Sequence, residues 1–441
     1  MATASGIFGI WTSSYGDCSG TFYGYTCGEP HVSIINSNGT GDFTSLNSWK
    51  SWVQSSGQTA EWASLQGSGN VGGIDLDSWP GTIDSENYPV IFTDPSLRNS
   101  SGPYIQEATS GYASIQTSLD YTIVSGVRIE VSNDPYSVIL INGNQNVRIL
   151  SNTINYNGNG QWDSIAYYTT AGDPLISDKN IYIRNNIING NGYSIGNNYG
   201  IKVYGVADRA YDVTFTAYVE NNTICNFSDG GGIYGYSART GSGSENYEAN
   251  WYVRNNIAVD MPDANYYFNQ GAFMDIIRQY NNVSTDSTAD NYPPLAGITE
   301  KTRYDLFVDP DNDNFSLKVG SPARNAGLTL TDFSDDNRSG PGWRPKDAVW
   351  DIGAIETARS TGTFYGFAQG PVYSTFNGYT NGFDTESGIF YGFTHGHETE
   401  SGVFNGYSLG HETVPNYVPG YTYGYIDSIN ESFYGYTVGH S

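Results

Sequence analysis

Between residues 146 and 283 the chain alternates apolar and polar positions in short runs, and each run breaks at an Asn. The runs are NVRILSNTI (146–154), NIYIRNNII (180–188), AYVENNTI (217–224), WYVRNNIA (251–258) and RQYNNV (278–283). Alternation with a period of two puts one face of a half-buried strand on the core, and the Asn marks the turn that ends it. The turn residues Asn152, Asn186, Asn222, Asn256 and Asn282 are spaced by 34, 36, 34 and 26. A strand, an Asn turn, a second strand and a loop, repeated at a nearly constant period, predict a solenoid of stacked coils sharing one core. Equivalent Asn side chains then stack and hydrogen-bond from coil to coil. Second strands opened by Gly, such as GIKVYG (200–205) and GGIYGYS (231–237), fit the same unit.

Two flanking patterns differ. In GDFTSLNSWKSWV (41–53), Leu46, Trp49 and Val53 share one helical face, which predicts a short helix capping the open first coil. Beyond residue 357 the phrase G-[YF]-[TSA]-x-G begins at Gly366, Gly378, Gly392, Gly406, Gly420 and Gly435, spaced by 12, 14, 14, 14 and 15. One clear copy, Gly24 to Gly28, lies near the N-terminus. Each copy reads as strand, turn, strand and is too short to fold alone, so copies must stack on one another or on a neighbouring subunit. The expected organisation is an N-terminal Gly/Tyr segment (1–39), the solenoid with its cap and closing segment (40–357), and C-terminal Gly-Tyr β-repeats for assembly (358–441).

The Asn-turn phrases resemble the repeats of the right-handed parallel β-helix superfamily, which holds pectate-lyase-like enzymes and phage tailspikes. The opening GDFTSLNSWKSWV is similar to segments found before such β-helices. FSLKVGSPARNAG (315–327) with WDIGAIE (350–356) resembles the ending of many bacterial surface β-helix proteins. The resemblance covers about residues 40–357. It implies an all-β right-handed parallel β-helix whose closing segment shuts the helix, and trimerisation by analogy with spikes of this fold. It is specific for architecture and weak for function, because one fold hosts many activities.

Composition narrows the partners. With 19 Lys and Arg against 45 Asp and Glu, the formal charge is −26, which repels phosphate backbones and argues against nucleic acid. The 37 Tyr and 54 Gly suit turn-rich β-structure. No run approaches the roughly 20 apolar residues of a membrane span. MATASGIFGIWTSSYGDC has neither a basic nor an apolar region of a secretory signal, so the expected location is a virion surface or an extracellular one reached without such a signal. Cys18, Cys27 and Cys225 leave at least one thiol free, and Cys18 with Cys27 either pair or stay reduced.

Candidate chemistry is sparse. All five His lie in the terminal repeats, so a base in the solenoid would be a carboxylate, Lys, Arg or Tyr. Lyases of the resembled superfamily pair Ca²⁺-binding carboxylates with Lys or Arg. Lys202, Asp208 and Arg209 are the candidates here, with Asp163, Asp173, Asp229 and Asp275 in inter-coil loops. The bland reading is solvated loop charge. DPDNDN (309–314) could hold Ca²⁺ through Asp309, Asp311 and Asp313, or be a hydrated turn. His397 and His411 in adjacent repeats could share Zn²⁺ or form a plain surface ladder. No cofactor is otherwise expected. Tyrosines in SIAYYTTAG (164–172) and NYYFNQGAF (265–273) are candidates for glycan contact.

These observations lead to the expectation of a non-enzymatic exposed structural protein, a phage spike, fibre or capsid decoration. Its terminal repeats would join it to itself and to other virion or surface proteins, with glycans as a further partner. The alternatives are a polysaccharide lyase or depolymerase, and a cell-surface adhesin or filament subunit.

Overall fold

Short alternating runs bounded by left-handed turns can only bury their apolar side by pairing with the next copy of themselves, and the chain does this throughout. The computed structural model describes residues 4–5, 18–19, 31–330 and 349–356, and the strands 364–368, 376–414, 418–429 and 433–438. Within 31–330 the exceptions are 59–60, 85–86, 99–100, 107–112, 133–136, 144, 161, 170–174, 176, 209–210, 241–246, 271–274 and 294–295. The chain divides into two compact units, Met1–Glu356 and Thr357–Ser441.

The first unit is all-β, with three long parallel sheets visited in turn. Sheet A has nine strands: His31–Ile35, Glu61–Leu65, Val90–Thr93, Ile123–Ser125, Val147–Leu150, Lys179–Arg184, Val213–Glu220, Tyr247–Arg254 and Asp275–Tyr280. Sheet B has seven: Tyr104–Gln106, Arg128–Val131, Thr153–Tyr156, Ile187–Asn189, Thr223–Cys225, Ile257–Val259 and Val283–Ser284. Sheet C also has seven: Ile74–Leu76, Ile115–Thr117, Ile139–Asn142, Ile165–Tyr168, Ser194–Asp208, Asp229–Thr240 and Tyr266–Gln270. From Val147 onward, one strand of each sheet makes one coil, and each strand pairs in parallel with its counterparts one coil away. The first sheet thus starts at His31, ahead of residue 40.

From Val147 to Ile233 every coil sends at least one apolar residue inward from each sheet. Ile149, Ile154 and Ile165 are followed by Ile183, Ile188 and Ile201, then Val219, Ile224 and Ile233, all essentially buried. The turn between sheets A and B uses two adjacent residues for two tasks. Ser151, Asn185, Asn221, Asn255 and Asn281 adopt φ of 49–58°, a left-handed conformation that Asn tolerates best among non-glycine residues. One coil earlier Gly126, at φ 69°, fills this place. The second residue of each pair makes the ladder. The amide of Asn152 donates to Asn186 Oδ1 (3.0 Å), Asn186 to Asn222 (2.9 Å), Asn222 to Asn256 (3.0 Å) and Asn256 to Asn282 (3.1 Å). The carboxamide oxygens of Asn186, Asn222, Asn256 and Asn282 also accept the backbone N–H of the Asn before them, and that of Asn152 accepts the Val127 N–H. Each amide reaches a sheet A carbonyl, as Asn222 does at Ile183 (2.9 Å). All five are fully buried, so each bond is made where an orphaned partner costs about 1–3 kcal/mol.

The helix Leu46–Ser56 buries Leu46, Trp49 and Val53 completely. Ser45 and Ser48 cap its start reciprocally, and Gly57 at φ 71° ends it. The segment resembling a helix closure behaves differently from that expectation. Phe315, Leu317, Ala323, Ile352, Ala354 and Ile355 pack with Ile187, Cys225, Ile257 and Val259 of sheet B. They therefore cover a flank of the coils, because the outward residues of sheet B are themselves apolar. Asn255 and Asn281 fasten this cover, donating to the carbonyls of Leu328 (2.8 Å) and Ala326 (2.6 Å).

The second unit is a four-stranded parallel sheet: Phe364–Ala368, Phe376–Val414, Val418–Ile429 and Phe433–Val438. Equivalent glycines meet in register, Gly366 with Gly378, Gly406 with Gly420, and Gly420 with Gly435. Gly392 and His397 lie within the 39-residue strand, and His411 is set beside Tyr425. Gly24, Gly28 and Cys27 lie outside the described residues.

Candidate functional site

Outward positions of sheet C change character along the stack. Asp75, Gln116, Leu140 and Ala166 occupy one column, which continues as Lys202, Tyr234 and Tyr267. Two residues further along the strands, Asn142 is followed by Tyr168, Tyr204, Tyr236 and Asn269. A spacing of two residues in an extended strand sets these columns about 7 Å apart, with about 4.8 Å between coils.

Ring contacts turn the columns into two ridges. The first joins Tyr234 and Tyr267 of the Lys202 column to Tyr199, which pairs with Gly231 three residues before Lys202. Its centroids are 4.7 and 5.6 Å apart and its planes inclined by 32° and 30°. The second runs Tyr168–Tyr204–Tyr236, at 6.0 and 4.4 Å with inclinations of 39° and 14°. Most of these rings lean, which leaves part of each face uncovered, and Tyr267 at the end of its ridge is 45% exposed. Gly231 makes the lean of Tyr199 feasible, because a Cβ there would lie 2.6 Å from the Tyr199 ring.

Lys202 bridges the ridges. Its Nζ lies 5.3 Å from the Tyr168 ring centroid and 5.6 Å from that of Tyr234. Beneath it sits Asp163, fully buried, whose Oδ2 is 3.4 Å from the amine and accepts the Tyr168 hydroxyl at 2.6 Å. Its Oδ1 accepts the Tyr199 backbone N–H at 2.8 Å. Burial pushes the Asp163 carboxyl up, against the opposing pull of Lys202 and of the bonds from Tyr168 and Tyr199. The phenols move upward too: Tyr168 through burial and then Asp163, and Tyr199 to about 12 through burial and then Tyr234. The phenols are neutral near pH 7.

The remaining candidates are not gathered here. Asp208 ends the strand that carries Lys202, six residues away and about 20 Å along an extended chain. Arg209 and Asp173 lie outside the described residues. Asp229 accepts its neighbour Gly230 N–H at 2.9 Å, and Asp275 begins the last strand of sheet A. The three acids of DPDNDN face different partners: Asp309 meets Asn312, Asp311 meets Arg303 and Tyr304, and Asp313 meets Asn189. Among the described residues no three His, Cys, Asp or Glu side chains converge on a metal-sized site, and no helix is long and apolar enough to cross a membrane. No protein-family model matches the chain, and neither a curated protein nor a solved structure does.

Sequence reading reached Tyr168 and Tyr267 through their aromatic loops but missed Tyr199, Tyr204, Tyr234 and Tyr236. The available signal was the coil period, since adding 36 to Asp163 and Ala166 lands on Tyr199 and Lys202.

Proposed function

We propose that the chain is a non-enzymatic, exposed structural protein on a right-handed parallel β-helix, a spike or fibre of a virion or a comparable surface protein. In this reading its sheet C face binds carbohydrate, and its Gly-Tyr repeats join copies to one another. The carrying observation is the pair of tyrosine ridges on the outside of a rigid stack. Leaning rings offer CH–π surface to sugars, and their hydroxyls offer hydrogen bonds, at positions fixed before binding and therefore at low entropic cost. The parallel, glycine-on-glycine register of Phe364–Val438 supports the joining role, since such sheets grow by adding equivalent strands. Lys202 meets a single buried carboxylate, which suits a binding face better than acid–base chemistry.

The test is binding of the full chain to a panel of immobilised polysaccharides, beside the variant Tyr234→Ala/Tyr267→Ala. Retention of the parent on at least one polymer, weakened about tenfold or more in a variant that melts like the parent, is the expected result. Equal retention of both proteins would remove the ridges from the reading. Native mass and micrographs of the same sample test the joining role, which a clean monomer would overturn.

A further inference from the structure

The trough between the ridges has an electrostatic character that selects among polysaccharides, and this inference rests on the carbohydrate reading above. Lys202 is the cation in the trough, its side chain 17% exposed, and it would ordinarily attract uronate or other acidic sugars. Asp163 compensates it from 3.4 Å below, with no exposed surface of its own through which a ligand could displace it. Lys202 is held further by the rings of Tyr168 and Tyr234, a setting that satisfies the ammonium without an added anion. Around this neutral pair lie neutral phenols and the exposed Asp263, whose charge acts on Tyr199. The wider field is that of a chain with formal charge −26. A polyanion approaching this trough meets repulsion, and the cation that the described residues place between the ridges, Lys202, is already compensated.

Geometry adds a second constraint. The ridges repeat once per coil, about every 4.8 Å, roughly the advance of one sugar in an extended glycan. A ribbon-like chain lying along the stack meets one ring per coil from Tyr199 to Tyr267, whereas a coiled glycan loses register after one unit.

We infer that the trough takes a neutral, extended polysaccharide and rejects polyuronates, with Asp163 setting that selectivity by compensating Lys202. Asp163 is a positioning residue: it acts through Lys202, Tyr168 and Tyr199 rather than by touching the ligand.

Affinity electrophoresis of the full chain in gels holding hydroxyethylcellulose, dextran or polygalacturonate tests this at neutral pH. Hydroxyethylcellulose is expected to retard the protein at least about tenfold more strongly than polygalacturonate, with little change between about 0.02 and 0.3 M NaCl. Dextran, neutral but coiled, is expected to retard it less than hydroxyethylcellulose does. The variant Asp163→Asn, whose Lys202 charge is uncompensated, is expected to gain about tenfold in polygalacturonate binding, and that gain is expected to vanish in high salt. Polygalacturonate binding as strong as that of hydroxyethylcellulose would overturn the selectivity and leave the carbohydrate reading standing. A folded Asp163→Asn protein without the gain would overturn the role of Asp163. If that variant does not fold, the salt series on the parent decides. No retardation by any of the three polymers overturns this inference, and silence across the whole polysaccharide panel also removes the reading beneath it.

Discussion

Sheets A and C both stack tyrosines on their outer faces, yet the two stacks are finished differently. On sheet A, Tyr182, Tyr218 and Tyr252 lie almost parallel, inclined by 3° and 8° at 4.9 and 5.0 Å. Arg148 closes one end over Tyr182 at 5.2 Å and Arg278 the other over Tyr252 at 4.9 Å. Arg184 and Arg254 lie against the same rings, both bonded to the fully buried Glu220. The aromatic surface of that column is consumed by the protein itself. On sheet C most of the ring pairs are inclined by 30° or more, Lys202 lies over Tyr168 and Tyr234, and one ridge ends at the exposed Tyr267. Stacked coils therefore generate tyrosine ladders as a matter of register, and the two ladders differ in what covers their ring faces.

The largest expected effect falls on the closed face. Glu220→Ala leaves Arg184 and Arg254 without their shared carboxylate in a buried setting, which costs about 3–5 kcal/mol by the usual penalty for breaking such a pair. Chemical denaturation reads the loss, and retention of carbohydrate binding by the fraction still folded would keep the two faces separate. Next in size is a crossed pair of single changes. Tyr218→Ala opens the middle of the closed stack and is expected to lower stability by about 1–3 kcal/mol with binding intact. Tyr234→Ala is expected to weaken binding more than it lowers stability. Equal behaviour of the two variants would erase the distinction drawn between the faces.

The charge under the open face gives a pH signature. Because burial raises the folded-state pKa of Asp163 above its unfolded value, its favourable contribution is complete below the ordinary carboxylate range. That contribution is lost as pH rises through the elevated value. The stability of the parent relative to Asp163→Asn is thus expected to increase as pH falls from neutral toward 4, read by paired melts across that range. A gap that narrows on acidification would contradict the direction of the shift.

Much of the fold was legible because parallel strands that return to the same three sheets write their period into the chain. The Asn phrases placed the turns, and Leu46, Trp49 and Val53 announced the capping helix. The division of labour inside each Asn doublet was hidden, since a left-handed φ at Asn221 and a buried ladder bond at Asn222 draw on the same residue type. The closing segment was recognisable, but its resting place on a flank was not, because that depends on the outward residues of sheet B being apolar. The candidate site was legible only in part. Asp163 and Lys202 are far apart in sequence and meet only through coil register, so neither looks like more than a loop charge when read alone.

The smallest expected effect is also the sharpest probe of the comparison. Arg278 lies over Tyr252 and donates to Asn250 Oδ1 at 3.1 Å, so it closes the column without being central to the core. Removing it in Arg278→Ala is expected to cost only about 0.5–1 kcal/mol, the range of a partly exposed cation–π contact. The change uncovers one face of Tyr252 at the end of a stack, the situation Tyr267 already occupies on sheet C. If exposed ring face is what makes a ladder a sugar site, this variant is expected to gain weak retention on the same neutral polymer that the parent binds through sheet C. The gain should persist in the background Tyr234→Ala/Tyr267→Ala. A variant that loses the expected stability but gains no retention would mean that ring exposure is insufficient. The lean of the sheet C rings and the trough between two ridges would then be what distinguishes that face.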